Sequence, residues 1–182
     1  MRLFAGIELD EATRAMCVDV ANRLQHAAFE AKYEAAEKLH VTLAFLGNVR
    51  EDQLAAVEDV LSDVAGATQE FDLAWDRVGA FPNERRPRIA YVGSREQGAA
   101  YRSLSQRLRE AYRALSFDFK EDAVAHVTIA RIKGGSARAL PLLDLSPHVM
   151  HVRELVLFES LPGERTTRYE IRQRASVGPR LA

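Results

Sequence analysis

The chain has 182 residues, a formal net charge of −1, 47% hydrophobic and 28% charged residues, and a single cysteine. That length suits one domain, or two small lobes sharing a core, and the 10 Gly and 6 Pro exclude collagen-like or low-complexity structure. Near-neutral charge argues against coating long nucleic acid through a uniform positive field, although it leaves room for a small basic cleft. Cys17 has no intramolecular partner, which points to a reducing compartment, the cytoplasm. The N-terminal stretch meets Glu8 and Asp10 before any long apolar run, so neither a signal peptide nor a membrane span is expected.

In chain order, Arg2 to Leu9 reads as a buried strand, with Asp10 as the N-cap of a helix from Glu11 to about Lys32. Met16, Val20, Leu24 and Ala27 form that helix's apolar stripe. His40 to Leu46 is a strand stopped by Gly47-Asn48, and residues 51–65 follow as an amphipathic helix. Phe71–Phe81 and Arg88–Gly93 read as two strands joined by the turn segment PNERRP. Residues 97–116 form a third helix. A strand Val124–Ile132, an irregular stretch through Pro147, and two strands near 152–161 and 168–174 complete the chain. Strands that both alternate with helices and pair as hairpins point to α+β architecture.

An internal repeat organises these elements. HVTLAF at 40–45 recurs as HVTIAR at 126–131, 86 residues later, and each HVT lies 38 residues after a strand-opening arginine, Arg2 or Arg88. The turns FPNER (81–85) and LPGER (161–165) match as well, at a spacing of 80. The expectation is one domain, 1–182, made of two pseudo-symmetric halves, about 2–87 and 88–174. Each would be an antiparallel-rich lobe with flanking helices, the two meeting at a central cleft.

Alternation along a strand puts His40 with Thr42, and His126 with Thr128, on one face. Val41, Leu43 and Phe45 in one copy, and Val127 and Ile129 in the other, take the opposite face and the core. Two imidazoles and two hydroxyls on one cleft suit metal-free phosphodiester chemistry. Histidine's ordinary pKa of about 6.5 lets one ring be neutral while the other is protonated. In-line displacement at phosphorus needs a base and an acid on opposite sides, and hydroxyls can donate to the non-bridging oxygens.

The paired H-x-T-Φ motifs, with RLFAGIEL, KLHVTLAFLGNV, HVTIAR and LVLFES, closely resemble the 2H phosphoesterase superfamily. Within it they are most similar to the RNA 2′,3′-cyclic phosphodiesterases, also called 2′-5′ RNA ligase-like, over residues 2 to 174. The resemblance implies a bilobal α+β fold, His40 as proton donor to the leaving oxygen and His126 as proton acceptor from water. It also implies phosphate binding by Thr42, Thr128 and Arg131. The activity implied is metal-independent hydrolysis of an RNA or nucleoside 2′,3′-cyclic phosphate to a 2′-phosphomonoester, with no cofactor. RNA ends or cyclic nucleotides would be the partners of a monomer, without membrane or obligate protein. The reverse reaction, 2′-5′ ligation, or a non-catalytic nucleotide- or RNA-binding module on the same scaffold are the alternatives. Two departures stand out: Ala125 replaces the family's common Pro before the second motif, and Tyr91 replaces a Trp.

Other residues carry competing readings. Arg85, Arg86 and Arg88, and Arg165, Arg168, Arg172 and Arg174, would either collect RNA phosphates or serve as solvated charge. His148 and His151 lack a third metal ligand at convincing spacing, His26 reads as solvated, and Cys17 as a packing residue. Phe81 and Tyr91 read as core or as stacking surfaces for a base.

Overall fold

The apolar run after Met1 forms β1 (Arg2–Glu8) in the computed structural model, which describes residues 1–119, 123–132, 138–163 and 167–179. Leu3, Phe4, Ala5 and Ile7 are all buried, because β1 lies between two other strands. Gly6 allows a close approach there: a Cβ would stand 2.5 Å from the Val41 carbonyl oxygen. The next helix, α1 (Glu11–His26), starts where the Asp10 carboxylate accepts the Thr13 N–H at 2.7 Å, and it buries Thr13, Cys17, Val20 and Leu24. It is shorter than the pattern to Lys32 predicts. Ala28 turns to φ 54°, and the Phe29 N–H donates back to Leu24 O, a left-handed helix stop that drives Phe29 into the core.

The freed segment forms a short strand, β2 (Lys32–Tyr33), and leads through a 3₁₀ turn at Ala36–Lys38 into β3 (His40–Asn48). After a second 3₁₀ turn comes α2 (Leu54–Gly66), burying Val57, Leu61 and Ala65. The single strand expected over 71–81 is two, β4 (Phe71–Trp75) and β5 (Arg77–Phe81). Asp76 separates them, its N–H donating to Gly93 O and its carboxylate accepting the Arg95 N–H. Then follow β6 (Ile89–Gly93), α3 (Ala99–Ala114), β7 (His126–Arg131), β8 (His148–Val152), β9 (Glu154–Leu161) and β10 (Arg168–Ser176). The expected irregular stretch to Pro147 and strand from 152 give way to β8, which pairs with β4 in a separate two-stranded sheet. The GGSA of 134–137 and Glu164-Arg165 of the second hairpin turn lie outside the described residues.

The result is α+β. An eight-stranded sheet runs β10-β9-β1-β3-β7-β6-β5, with β2 also on β7. Its two antiparallel lobes meet at one pair, Val41 with Val127, the residue after each histidine. The helices cross over: α1 packs on β7, and α3 packs on β3, so each lobe's helix covers the other lobe's HVT strand. Val41, Leu43, Val127 and Ile129 share one hydrophobic core. Among the described residues no helix is long and apolar enough to cross a membrane.

Candidate active site

An antiparallel register centred on Val41 and Val127 sets His40 across from Thr128 and Thr42 across from His126. With the valines buried, all four polar side chains point away from the core and line one groove of about 450 Å³. Arg131 lines it too, so every residue singled out for the site lies on the same cavity.

Arg131 reaches that face through a bulge. Between Ala90 and Tyr91 the partner register on β7 jumps from Ala130 to Thr128, leaving Ile129 as the extra residue. On β3 the same device recurs: Ala5 pairs with Ala44 and Gly6 with Thr42, leaving Leu43 extra. A bulge reverses the alternation of side chains downstream of it. Residues 43 and 44, and 129 and 130, are therefore both buried, and Phe45 and Arg131 turn to the groove. This corrects the placement of Phe45 in the core, for it is 47% exposed. Both bulges are braced from the opposite half: the Glu34 N–H donates to Ile129 O at 2.9 Å, and Arg109 Nε to Leu43 O at 3.1 Å.

Each imidazole is fixed in the same way. His40 Nδ1 lies 2.7 Å from Lys38 O, and His126 Nδ1 lies 2.7 Å from Val124 O. A carbonyl oxygen only accepts, so Nδ1 carries the proton in both rings and Nε2 is the lone-pair nitrogen of each neutral ring. His40 Nε2 is 3.0 Å from Thr42 Oγ1, whose hydroxyl donates to it when the ring is neutral. Aromatic rings hold both side chains: Phe4 (4.7 Å between centroids), Tyr169 and Phe158 around His40, and Phe81 (5.1 Å) and Tyr91 around His126.

Burial in these cages pulls both histidines below their ordinary pKa, with the charges of His126 and Arg131 adding to the effect on His40, and Arg131 adding to that on His126. Phe81 and Tyr91 stack on each other at 4.5 Å, Tyr91 being almost fully buried, so they pack His126 in place. Ala125, standing where Pro is common, uses its N–H: it donates to Gln97 Oε1 at 2.6 Å, a bond proline could not make.

Sequence reasoning missed most of the groove. Arg2, Lys32, Lys38 and Glu34 line it with Thr167 and Tyr169. Glu34 bridges Lys38 (3.3 Å) and Arg131 (2.8 Å), and Lys38 lies over the Tyr169 ring at 5.3 Å. The polar run KYEAAEK directly before the first motif was the available signal, and the overlong helix reading began to absorb it. Of the arginine clusters, Arg168, Arg172 and Arg174 pair with Glu170, Glu159, and Glu8 with Glu154, respectively, whereas Arg85, Arg86 and Arg88 carry no ion pair among the described residues. Arg165 lies outside the described residues.

His26 is exposed, and His148 Nε2 meets Thr13 Oγ1. His151 bridges Asp72 and Glu70. Cys17 is buried, its thiol pushed up to about 12 by burial. Among the described residues no group of three or more His, Cys, Asp or Glu is arranged to hold a metal ion.

Known proteins resemble this chain in sequence and fold. The family model described as "LigT like Phosphoesterase" matches residues 7–91. A curated protein of Archaeoglobus fulgidus named RNA 2′,3′-cyclic phosphodiesterase is 36% identical over 133 residues, 73% of this chain and 73% of its own. One of the same name from Methanothermobacter thermautotrophicus is 31% identical over 74% of this chain and 72% of its own. A crystal structure of a Thermus thermophilus protein superposes with a TM-score of 0.80 at 24% identity, covering 97% of this chain and 98% of that one. E. coli LigT complexed with 3′-AMP superposes with a TM-score of 0.75 at 23% identity, covering 97% and 96%.

Proposed function

The chain belongs to the LigT-like (2H) phosphoesterase family of RNA 2′,3′-cyclic phosphodiesterases, and on that premise we propose how its own groove does the chemistry. The substrate is the 2′,3′-cyclic phosphate of an RNA end or a nucleoside, and the product is the 2′-phosphomonoester. The observation that carries the reading is the matched pair of imidazoles, each with Nδ1–H tied to a backbone carbonyl and Nε2 left for one shared groove.

Neutral His126 takes a proton from water at Nε2 as the water oxygen attacks phosphorus. The bond from phosphorus to O3′ breaks, and protonated His40 gives its Nε2 proton to O3′. Electrons and protons balance: one proton enters at His126 and one leaves from His40. Because burial favours the neutral form of both rings in the free protein, the incoming phosphate anion supplies the field that favours protonated His40.

That protonation changes the role of Thr42. A neutral His40 accepts the Thr42 hydroxyl proton, whereas a protonated His40 turns the hydroxyl hydrogen outward to a non-bridging oxygen. Thr128 and Arg131 donate to the same phosphate from the other strand.

Residues 1–182 act in this reading as one domain, with halves of about 2–87 and 88–174 related across the Val41–Val127 pair. It works in the cytoplasm as a monomer, without an obligate protein partner, in keeping with a lone, buried and unreactive Cys17. Incubation with a 2′,3′-cyclic nucleotide in EDTA, followed by phosphorus NMR, tests the reading. Accumulation of the 2′-phosphomonoester supports it; accumulation of the 3′-isomer, or no turnover, contradicts it.

A further inference from the structure

A carboxylate in a phosphate-binding groove repels its ligand and needs a reason to be there. Glu34 is the only acid among the described residues that line this one, beside the cations Arg2, Lys32, Lys38 and Arg131. Its side chain is only 15% exposed, and its position is fixed by backbone as well as side chain. Tyr33 pairs with Ala130 and Lys32 with Arg131, and the Glu34 N–H closes on the carbonyl of the bulged Ile129. The same residue thus braces the bulge that turns Arg131 into the groove and grips the guanidinium that the bulge delivers.

The grip is selective. Glu34 Oε1 accepts from Arg131 Nε at 2.8 Å, and Nη1 and Nη2 of Arg131 have no hydrogen-bond partner among the described residues. A guanidinium held by Nε presents its terminal fork, the part that matches a phosphate's oxygens two at a time. Burial would raise the Glu34 carboxyl, but Arg131 and Lys38 outweigh it and hold it below the usual carboxylate range, so the anchor is charged at neutral pH.

We propose that Glu34 is a positioning residue of this site: it holds Arg131 by Nε so that the two terminal nitrogens face the phosphate. This rests on the phosphodiesterase reading for its role in turnover, but its binding consequence stands alone. Glu34 itself touches no reacting atom.

The test is a double-mutant cycle on the full chain, read by titration with inorganic phosphate and by steady-state kinetics on a 2′,3′-cyclic nucleotide. Arg131→Ala and Glu34→Ala are each expected to weaken phosphate binding and raise KM by about tenfold, the size of one charge-assisted hydrogen bond to an anion. The double variant is expected to be no weaker than Arg131→Ala alone, since with Arg131 gone the Glu34 carboxylate has no guanidinium to orient.

Glu34→Gln, whose amide oxygen still accepts from Nε, should restore binding to within about twofold of wild type. Arg131→Lys keeps the charge but has no planar fork to orient, so in that background neither change at Glu34 should weaken phosphate binding. Multiplying effects in the double variant, or unchanged binding in Glu34→Ala, would overturn the proposal. If Glu34→Ala does not fold, Glu34→Gln decides instead. A loss well beyond twofold with Arg131 in place, or a like loss in the Arg131→Lys background, overturns the proposal. Coupled phosphate binding without turnover of the cyclic nucleotide would sink the phosphodiesterase reading and leave this one standing.

Discussion

Val41 pairs with Val127 across the junction of the two lobes, and each is the residue that follows the histidine of its motif. Repeat-equivalent residues face each other only where a pseudo-twofold axis passes between them. That axis places His40 and His126 on the same side of the sheet, approaching the groove from opposite strands. The in-line chemistry proposed for the site builds on that pairing.

The assignment of acid and base is asymmetric and can be tested with a substrate whose leaving atom needs no proton. With a 3′-thio analogue of the cyclic phosphate, the departing thiolate is a good leaving group on its own. His40→Ala should lose about 10²–10⁴-fold on the oxygen substrate and recover most of that loss on the sulfur one. His126→Ala should remain equally slow on both, as measured by initial rates. Recovery in His126→Ala instead would reverse the two roles.

The pH profile should be displaced toward acid. The proposed mechanism needs His126 neutral and His40 protonated, and burial lowers both pKa values in the free protein. Both limbs of the kcat/KM profile, which reports free enzyme, should therefore fall below the ordinary histidine value of about 6.5. In kcat, which reports the complex, the alkaline limb should move up because the bound phosphate anion favours protonated His40. An alkaline kcat/KM limb above the ordinary value would contradict the cage effect.

His151 should staple the small sheet below a defined pH. Both of its ring nitrogens meet carboxylates, Asp72 at 2.7 Å and Glu70 at 2.8 Å, and a carboxylate only accepts, so the bridging ring is the imidazolium. Hydrogen bonds to Asp72 and Glu70 raise its pKa. The stabilisation is thus fully present below the unfolded value of about 6.5 and is lost as pH rises through the raised folded value. Amide exchange in β4 and β8 should accelerate across that window beyond the intrinsic pH effect in wild type but not in His151→Asn.

Phe45 should serve the ligand rather than the fold. It is 47% exposed on the groove, with the Arg2 guanidinium 5.1 Å from its ring centre. Phe45→Ala should leave thermal unfolding within about 0.5 kcal/mol of wild type, as surface changes do. It should weaken a cyclic nucleotide by about tenfold or more, the usual worth of one base stacked on an aromatic ring. A variant that unfolds early but binds normally would return Phe45 to the core.

Ala28 should be improvable. It adopts φ 54°, the left-handed stop of α1, where a Cβ is unfavourable. Ala28→Gly should raise stability by up to about 1 kcal/mol in a denaturant melt, the gain expected when glycine replaces alanine at such a stop.

The legible part of the sequence was its periodicity and its repeat. The HVT strands, three helices and the shared face of His40, Thr42, His126 and Thr128 all follow from residue spacing. What spacing does not carry is the pairing of distant segments. The split at Asp76 and the existence of β8 depend on β4 leaving the main sheet to pair with 148–152. The early end of α1 depends on Phe29 preferring the core and on β2 joining β7.

The bulges at Leu43 and Ile129 were equally invisible, because strict alternation puts Phe45 inside. Yet Arg131, the repeat equivalent of Phe45, was expected at the phosphate. One bulge was thus implicit in the resemblance, and the repeat would have supplied the other.

In the proposed reaction two histidines open a cyclic phosphate without a metal, and each is indispensable. Phosphorus NMR on a 2′,3′-cyclic nucleotide in EDTA, comparing wild type with His40→Ala and His126→Ala, tests this most directly. Wild type should give 2′-phosphomonoester at an undiminished rate in chelator, with losses of about 10²–10⁴-fold in each variant. Near-wild-type turnover in either variant, or activity abolished by EDTA, would contradict the mechanism.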